Sequence, residues 1–225
     1  MGKKHYPPRI PRTAHGFRAQ ELRNVPRGAW WVKGWLQAIE AMKLGARAGR
    51  GRVYAETGQV VSLRVDGSHV EATALGSRSD PYTVRIDFAP LPSAARGGAK
   101  SFANRLGTMP FARIFAGEMP TVVEEMFSVE GLSPYPTLGR DRFWCSCPDW
   151  SKPCKHIAAV LYLLGDVLIR DPALLLRLRG VRLAKEDEGV SGALPLWKGT
   201  AKLSDTLAKI YRRTAVKSFI PAAMT

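Results

Sequence analysis

Carboxylates are scarce in this chain. Only 19 Asp and Glu stand against 34 Lys and Arg among 225 residues, a net charge of +15. Cysteine is scarcer still: three in all, an odd number crowded into ten positions, which argues against a disulfide framework. Long apolar runs are missing. The longest, residues 157–169, is too short to span a bilayer and contains Asp166. The opening MGKKHYPPRIPR has charge and proline but no apolar segment of the secretory kind. Tyr6 stands where an N-myristoylation motif takes Ser or Thr. There is no GxxxxGK[ST] loop of the kind that cradles nucleotide phosphates, and no repeat at a fixed period. What is present is enough for a core, since 45% of the residues are apolar. These features suit a soluble, intracellular chain with reduced thiols, cytoplasmic or nucleoid-associated.

The positive charge sits at the two ends. Residues 1–52 carry twelve Lys and Arg against two acids, and residues 171–225 carry ten against five. The middle is close to neutral. A chain with a pI near 10.2 and this distribution is drawn to polyanions, above all nucleic acid.

Periodicity divides the chain. Residues 1–28 read as a basic disordered arm, with prolines at 7, 8, 11 and 26 and little to bury. Residues 29–135 read as an α+β domain. It opens with a helix over 29–44, in which Trp31, Trp35, Ile39 and Met42 recur at helical spacing and Gly45 is a stop. Those tryptophans suit a core; one ring of the adjacent pair Trp30 and Trp31 must face elsewhere, where it could stack on a base. Val61, Leu63 and Val65 then alternate with polar residues. Asp66-Gly67 marks a hairpin, and alternation resumes at Val70, Ala72 and Ala74 and again at Tyr82, Val84, Ile86 and Phe88. This predicts an antiparallel meander of three strands with one buried face. Short helical patterns follow at 101–106, 111–116 and 121–127. Residues 136–183 hold the cysteines and the helices after them, with Asp171-Pro172 opening a last turn of helix and Gly180 closing it. Residues 184–225 are a linker and a basic amphipathic helix over 200–217. Its face carrying Arg212 and Arg213 reads equally as solvated or as a phosphate or partner contact.

All three cysteines lie in WCSCPDWSKPCKHI, residues 144–157. Cys145 and Cys147 are two apart, so on a strand they share a face, with Trp144 on the other. Prolines and an aspartate then turn the chain. Cys154 and His156 open an apolar stretch that reads as a helix. The order is strand, turn, helix, and two ligands come from each side. Three thiolates and an imidazole make a closed tetrahedral zinc set, which leaves no position for an activated water. The competing readings are a redox Cys-x-Cys pair, a Cys154–His156 nucleophile and base, and plain burial. Positions i and i+2 of a helix do not face one another, which weakens the second. The coincidence of three thiols, an imidazole and two turn prolines favours a structural metal over all three. His5, His15 and His69 have no ligand-like neighbours and read as surface residues.

The run CSCPDWSKPCKH resembles the SWIM zinc finger, Cys-x-Cys, a short gap, then Cys-x-His. The following IAAVLYLLGDVLIRDPALLLRLRG and the earlier GAWWVKGWLQAIEAM are similar to the matching segments of bacterial SWIM-finger proteins. That resemblance implies Cys145, Cys147, Cys154 and His156 as ligands of one structural Zn2+ and a ββα finger beside the meander. It also implies DNA or protein binding, often in the company of SNF2-type helicases.

The expected function is therefore non-catalytic: a zinc-stapled module that binds nucleic acid, DNA rather than RNA, within a larger DNA-associated complex. The candidate phosphate contacts are Lys3, Lys4, Arg9 and Arg12 in the arm, Arg142, Lys152 and Lys155 at the finger, and Arg212 and Arg213 near the carboxyl end. The alternative is an adaptor that docks an SNF2-type helicase or another protein. An enzymatic reading requires scattered carboxylates (Asp66, Asp80, Asp87, Glu124 and Glu125) to converge.

Overall fold

A computed structural model describes residues 14–91, 106, 108–129, 131–149 and 151–181. Lys3, Lys4, Arg9 and Arg12, the linker at 184–195 and the closing helix with Arg212 and Arg213 lie outside the described residues, as does most of the 101–106 helical pattern. After a 3₁₀ turn at Leu22–Asn24 come helices α1 (Trp30–Ala41) and α2 (Ala46–Glu56) and strands β1 (Val60–Asp66), β2 (His69–Ala74) and β3 (Tyr82–Asp87). Helices α3 (Thr108–Phe115) and α4 (Val122–Val129), strand β4 (Arg142–Cys145) and helices α5 (Lys155–Arg170) and α6 (Ala173–Leu178) follow. The class is α+β, with one four-stranded antiparallel sheet in the order β1-β2-β3-β4.

The three-stranded meander is as the alternation predicts, with one local difference. The register shifts between Val60 and Ser62, so Val60 is buried and Val61 faces solvent. One extra residue in a strand turns the side chains before it to the other face. The fourth strand comes from the cysteine segment. Val84 pairs with Cys145 and Ile86 with Phe143, so the finger takes its second strand from the meander. Its ββα unit is β3, β4 and α5.

Helix α5 is the centre of the core. Twelve of its sixteen residues are buried, and it touches α1, α2, α6 and strands β1, β3 and β4. A helix apolar on nearly every face has to be enclosed on nearly every face. From α1, Trp31 and Trp35 are buried against it, and their indole N–H groups donate to the carbonyls of Leu168 and Leu161 at 2.8 and 2.9 Å. Trp30, the remaining ring of the adjacent pair, is half-buried and donates to the Met119 carbonyl at 2.8 Å. All three N-terminal tryptophans therefore serve packing.

Helix α2 was not legible, because Gly49 and Gly51 break up the pattern ARAGRGRVYAE. Gly51 has a packing reason. A Cβ there would lie 2.5 Å from the Cβ of Ala158, so the bare glycine lets α2 lie directly on α5. Of the basic arm expected to be disordered over 1–28, the described part, residues 14–28, is ordered. From Ala14 onward the chain is tied down: Phe17 bridges Val60, and the Ala19 N–H donates to the Ala55 carbonyl. Asp166, the charge that interrupts the apolar run of α5, accepts from the backbone N–H of Glu21 at 2.7 Å and of Leu22 at 3.3 Å. A carboxylate in α5 thus orders a segment that has few apolar side chains of its own. Among the described residues, no helix is long and apolar enough to cross a membrane.

Candidate metal centre and its surroundings

Strand β4 ends at Cys145, and Cys147 follows on the same face. Cys154 is the N-cap of α5, and its carbonyl accepts the first helical hydrogen bond from Ala158 at 2.9 Å. His156 lies in the first turn. All four are buried, and their four ligand atoms lie within 4.8 Å of one another. His156 Nδ1 is 3.8 Å from Cys145 Sγ and 3.9 Å from Cys154 Sγ. A tetrahedral shell with bonds of about 2.3 Å has edges of about 3.8 Å. The cysteines are all free thiols. Donor types, spacing and burial therefore fit one Zn2+, with Nδ1 as the imidazole ligand.

Electrostatics prepares the thiols unequally. Cys154 is held well below the usual thiol range, first by the hydrogen bond from Cys145, then by His156 and the backbone N–H of Ile157, against the opposing effect of burial. Cys145 is pushed far up, because it is the proton donor of that pair and is buried. Burial pushes Cys147 up too, although the backbone N–H of Asp149 opposes it. Cys154 is thus the thiol readiest to lose its proton before a metal arrives, and Cys145 and Cys147 hold theirs more firmly. Bound, the ion supplies a cross-link with no open coordination position.

The imidazole is locked from both sides. Its ring stacks on Tyr82 at 4.6 Å between centroids and lies tilted against Tyr54 at 5.5 Å. Lys155 donates to the Tyr54 hydroxyl at 2.8 Å and lies 4.6 Å from the centroid of that ring. Lys152 donates to the Cys145 carbonyl.

The SWIM zinc finger family matches residues 144–165, which hold all four ligands and the first two-thirds of α5. The chain is 34% identical over 222 residues to the uncharacterized protein Rv2102 of Mycobacterium tuberculosis, an alignment that covers 93% of this chain and 79% of the relative. The chain belongs to the SWIM zinc finger family. No solved structure matches it.

Around the SWIM finger, the cations singled out from sequence fare differently. Arg142 is exposed at the start of β4. Lys152 is exposed and Lys155 half-buried, and both also have structural partners through the bonds just described. His69 pairs with Asp87 at 2.7 Å on the open sheet face, and His15 is exposed. Among the described residues, the finger ligands are the one group of His, Cys, Asp and Glu side chains gathered closely enough to hold a metal.

Two features escaped sequence reasoning. The first is the exposure of Trp144, 47%, on the sheet face opposite the ligands where its parity had already placed it. Arg85 and Lys152 lie 5.4 and 5.8 Å from its ring centroid. Its parity against Cys145 was the available signal; its exposure follows from tertiary packing, since none of the described residues covers that ring fully. The second is a pocket of about 300 Å³ beside the metal centre, lined in part by Arg50, Ser77, Arg78, Lys155 and His156. These residues come from α2, the β2–β3 loop and α5, and no local pattern links them.

Proposed function

We propose that this protein is a non-catalytic, zinc-stapled module that binds nucleic acid, with DNA favoured over RNA, inside a larger DNA-associated complex. The observation that carries this reading is Trp144, a large ring left half in solvent on a sheet edge with two cations over it. An aromatic face flanked by positive charge suits an unpaired base and its phosphate. The excess of basic residues supports the same reading by drawing a polyanion to the surface. Zinc holds β4 against α5 and thereby sets the position of Trp144.

The test is fluorescence anisotropy of zinc-loaded full-length protein with labelled single-stranded and duplex DNA and with RNA of the same sequence. Binding should weaken linearly in log K against log salt. Trp144→Ala should cost about 1–3 kcal/mol on the single strand. No binding to any of the three at low salt would end the proposal.

A second reading, an adaptor for an SNF2-type helicase or another protein, is favoured by Phe115 and Val129, which are 43% and 82% exposed. Nucleic acid has little use for such apolar side chains. A partner that co-purifies through nuclease treatment and moderate salt supports the adaptor; a partner lost to nuclease was held by nucleic acid.

A further inference from the structure

The pocket beside the metal centre is built for an anion, and we infer that it seats a backbone phosphate of the nucleic acid, an inference that rests on the function proposed above. Three cations line it: Arg50 from α2, Arg78 from the β2–β3 loop and Lys155 from α5, with the hydroxyl of Ser77 beside them. The opposing carboxylate in the lining is Asp149, and it is already engaged. One of its oxygens accepts from the Ser151 N–H at 3.1 Å, and the other lies 3.6 Å from Arg47 Nε. Arg50 spends its Nε on the Ala46 carbonyl at 3.3 Å, which leaves its two terminal nitrogens for the pocket. Among the described residues, neither Arg50 nor Arg78 pairs with a carboxylate.

The second observation is independent of the surface charge. His156 is 3% exposed, and its Nε2 has no hydrogen-bond partner. The other ring nitrogen, Nδ1, faces the sulfurs. With Nδ1 given to the metal, the proton of the neutral ring must sit on Nε2, so the buried orphan is a donor. A ligating histidine normally gives this proton to a carboxylate, a carbonyl or water. Among the described residues, none supplies such an acceptor. From the β2–β3 loop it is Gly76 that stands beside the nitrogen: a Cβ there would come within 3.5 Å of Nε2 and 2.6 Å of the Tyr82 ring. A donor without an acceptor, in the lining of a pocket that gathers three cations, calls for an oxyanion. A tetrahedral phosphate oxygen accepts from guanidinium, ammonium, hydroxyl and imidazole N–H alike. The loaded finger carries a formal charge of −1, from three thiolates and a dication. The three cations outweigh it, so the pocket stays net positive.

The test uses the zinc-loaded full chain and the double variant Arg50→Gln, Arg78→Gln, with zinc content measured on both. Both substitutions are at exposed positions, so folding should be retained. Binding of a labelled duplex should weaken roughly tenfold, and the log–log salt slope should flatten by about one for each cation removed. In a histidine-labelled sample, the Nε2–H resonance of His156 should shift on addition of the duplex, and more weakly with inorganic phosphate. Unchanged affinity and slope in the double variant overturn the pocket as the phosphate seat, while the nucleic-acid reading stands on the wild-type binding. A His156 resonance that moves with inorganic phosphate in a protein that binds no oligonucleotide overturns the backbone as the occupant, and the proposed function with it.

Discussion

Asp141 and Arg179 have fully buried side chains, and each is satisfied several times over. The carboxylate accepts from the backbone N–H groups of Ala89 and Thr137 at 2.8 and 2.7 Å and from two guanidinium nitrogens at 2.6 and 3.1 Å. The guanidinium also donates to the carbonyls of Pro134, Ala89 and Tyr135. One pair thus fastens the end of α6 to two loops. Taking away one member of such a pair leaves a buried charge without its counterion. Asp141→Asn should therefore destabilise the fold by about 3–5 kcal/mol, read as a lower urea midpoint with an unchanged m-value. The ligand thiols give a second residue-scale outcome. With Cys154 already low and Cys145 and Cys147 raised, zinc binding near neutral pH should release about two protons. The sign follows: each proton released makes affinity rise with pH, so log K for zinc should climb by roughly two per pH unit. Calorimetry in buffers of different ionisation enthalpy measures that release. A count near three would mean that the thiols are not gathered before the metal arrives.

Two glycines two residues apart in α2 set up a contrast at the scale of an element. A Cβ at Gly49 meets nothing within 4 Å, whereas one at Gly51 meets Ala158 at 2.5 Å. Alanine is the better helix former by about 1 kcal/mol. Gly49→Ala should therefore raise the melting temperature by several degrees, and Gly51→Ala should lower it, because α2 must move off α5. If both substitutions stabilise, the two helices do not pack on that glycine. The same residue explains why the sequence hid this helix. A glycine kept for close approach looks like one kept for flexibility, and three arginines give no apolar stripe to weigh against it. The meander was legible because its alternation and the Asp66-Gly67 turn are local signals. The ligands were legible for the same reason, all four falling between 145 and 156. The phosphate pocket was not, since Arg50, Arg78 and His156 meet only through tertiary packing. The ordering of residues 14–28 was hidden likewise, because its anchor, Asp166, lies in α5, far along the chain.

For the whole molecule, the consequence of the metal depends on where β4 sits. In a finger with its own two strands, zinc loss would melt the finger and spare its neighbours. Here β4 hydrogen-bonds to β3, while Cys154 and His156 open the helix at the centre of the core. The ion joins the edge strand of the sheet to the buried first turn of α5. Its removal leaves buried thiols that must be paired or solvated, and the cheapest response is to part β4 from α5. That exposes the Tyr82 and Tyr54 packing around His156 and loosens α2 as well, since its Tyr54 and Gly51 both rest on the start of α5. Chelation of the full chain should therefore speed amide exchange in β3, β4, α2 and the first turns of α5 together, at one common rate, because a single opening exposes them all. Exchange in α4, which takes no part in this cluster, should change least. Faster exchange confined to β4 and the turn at 146–153 would mean that the finger opens alone and the sheet stands without it.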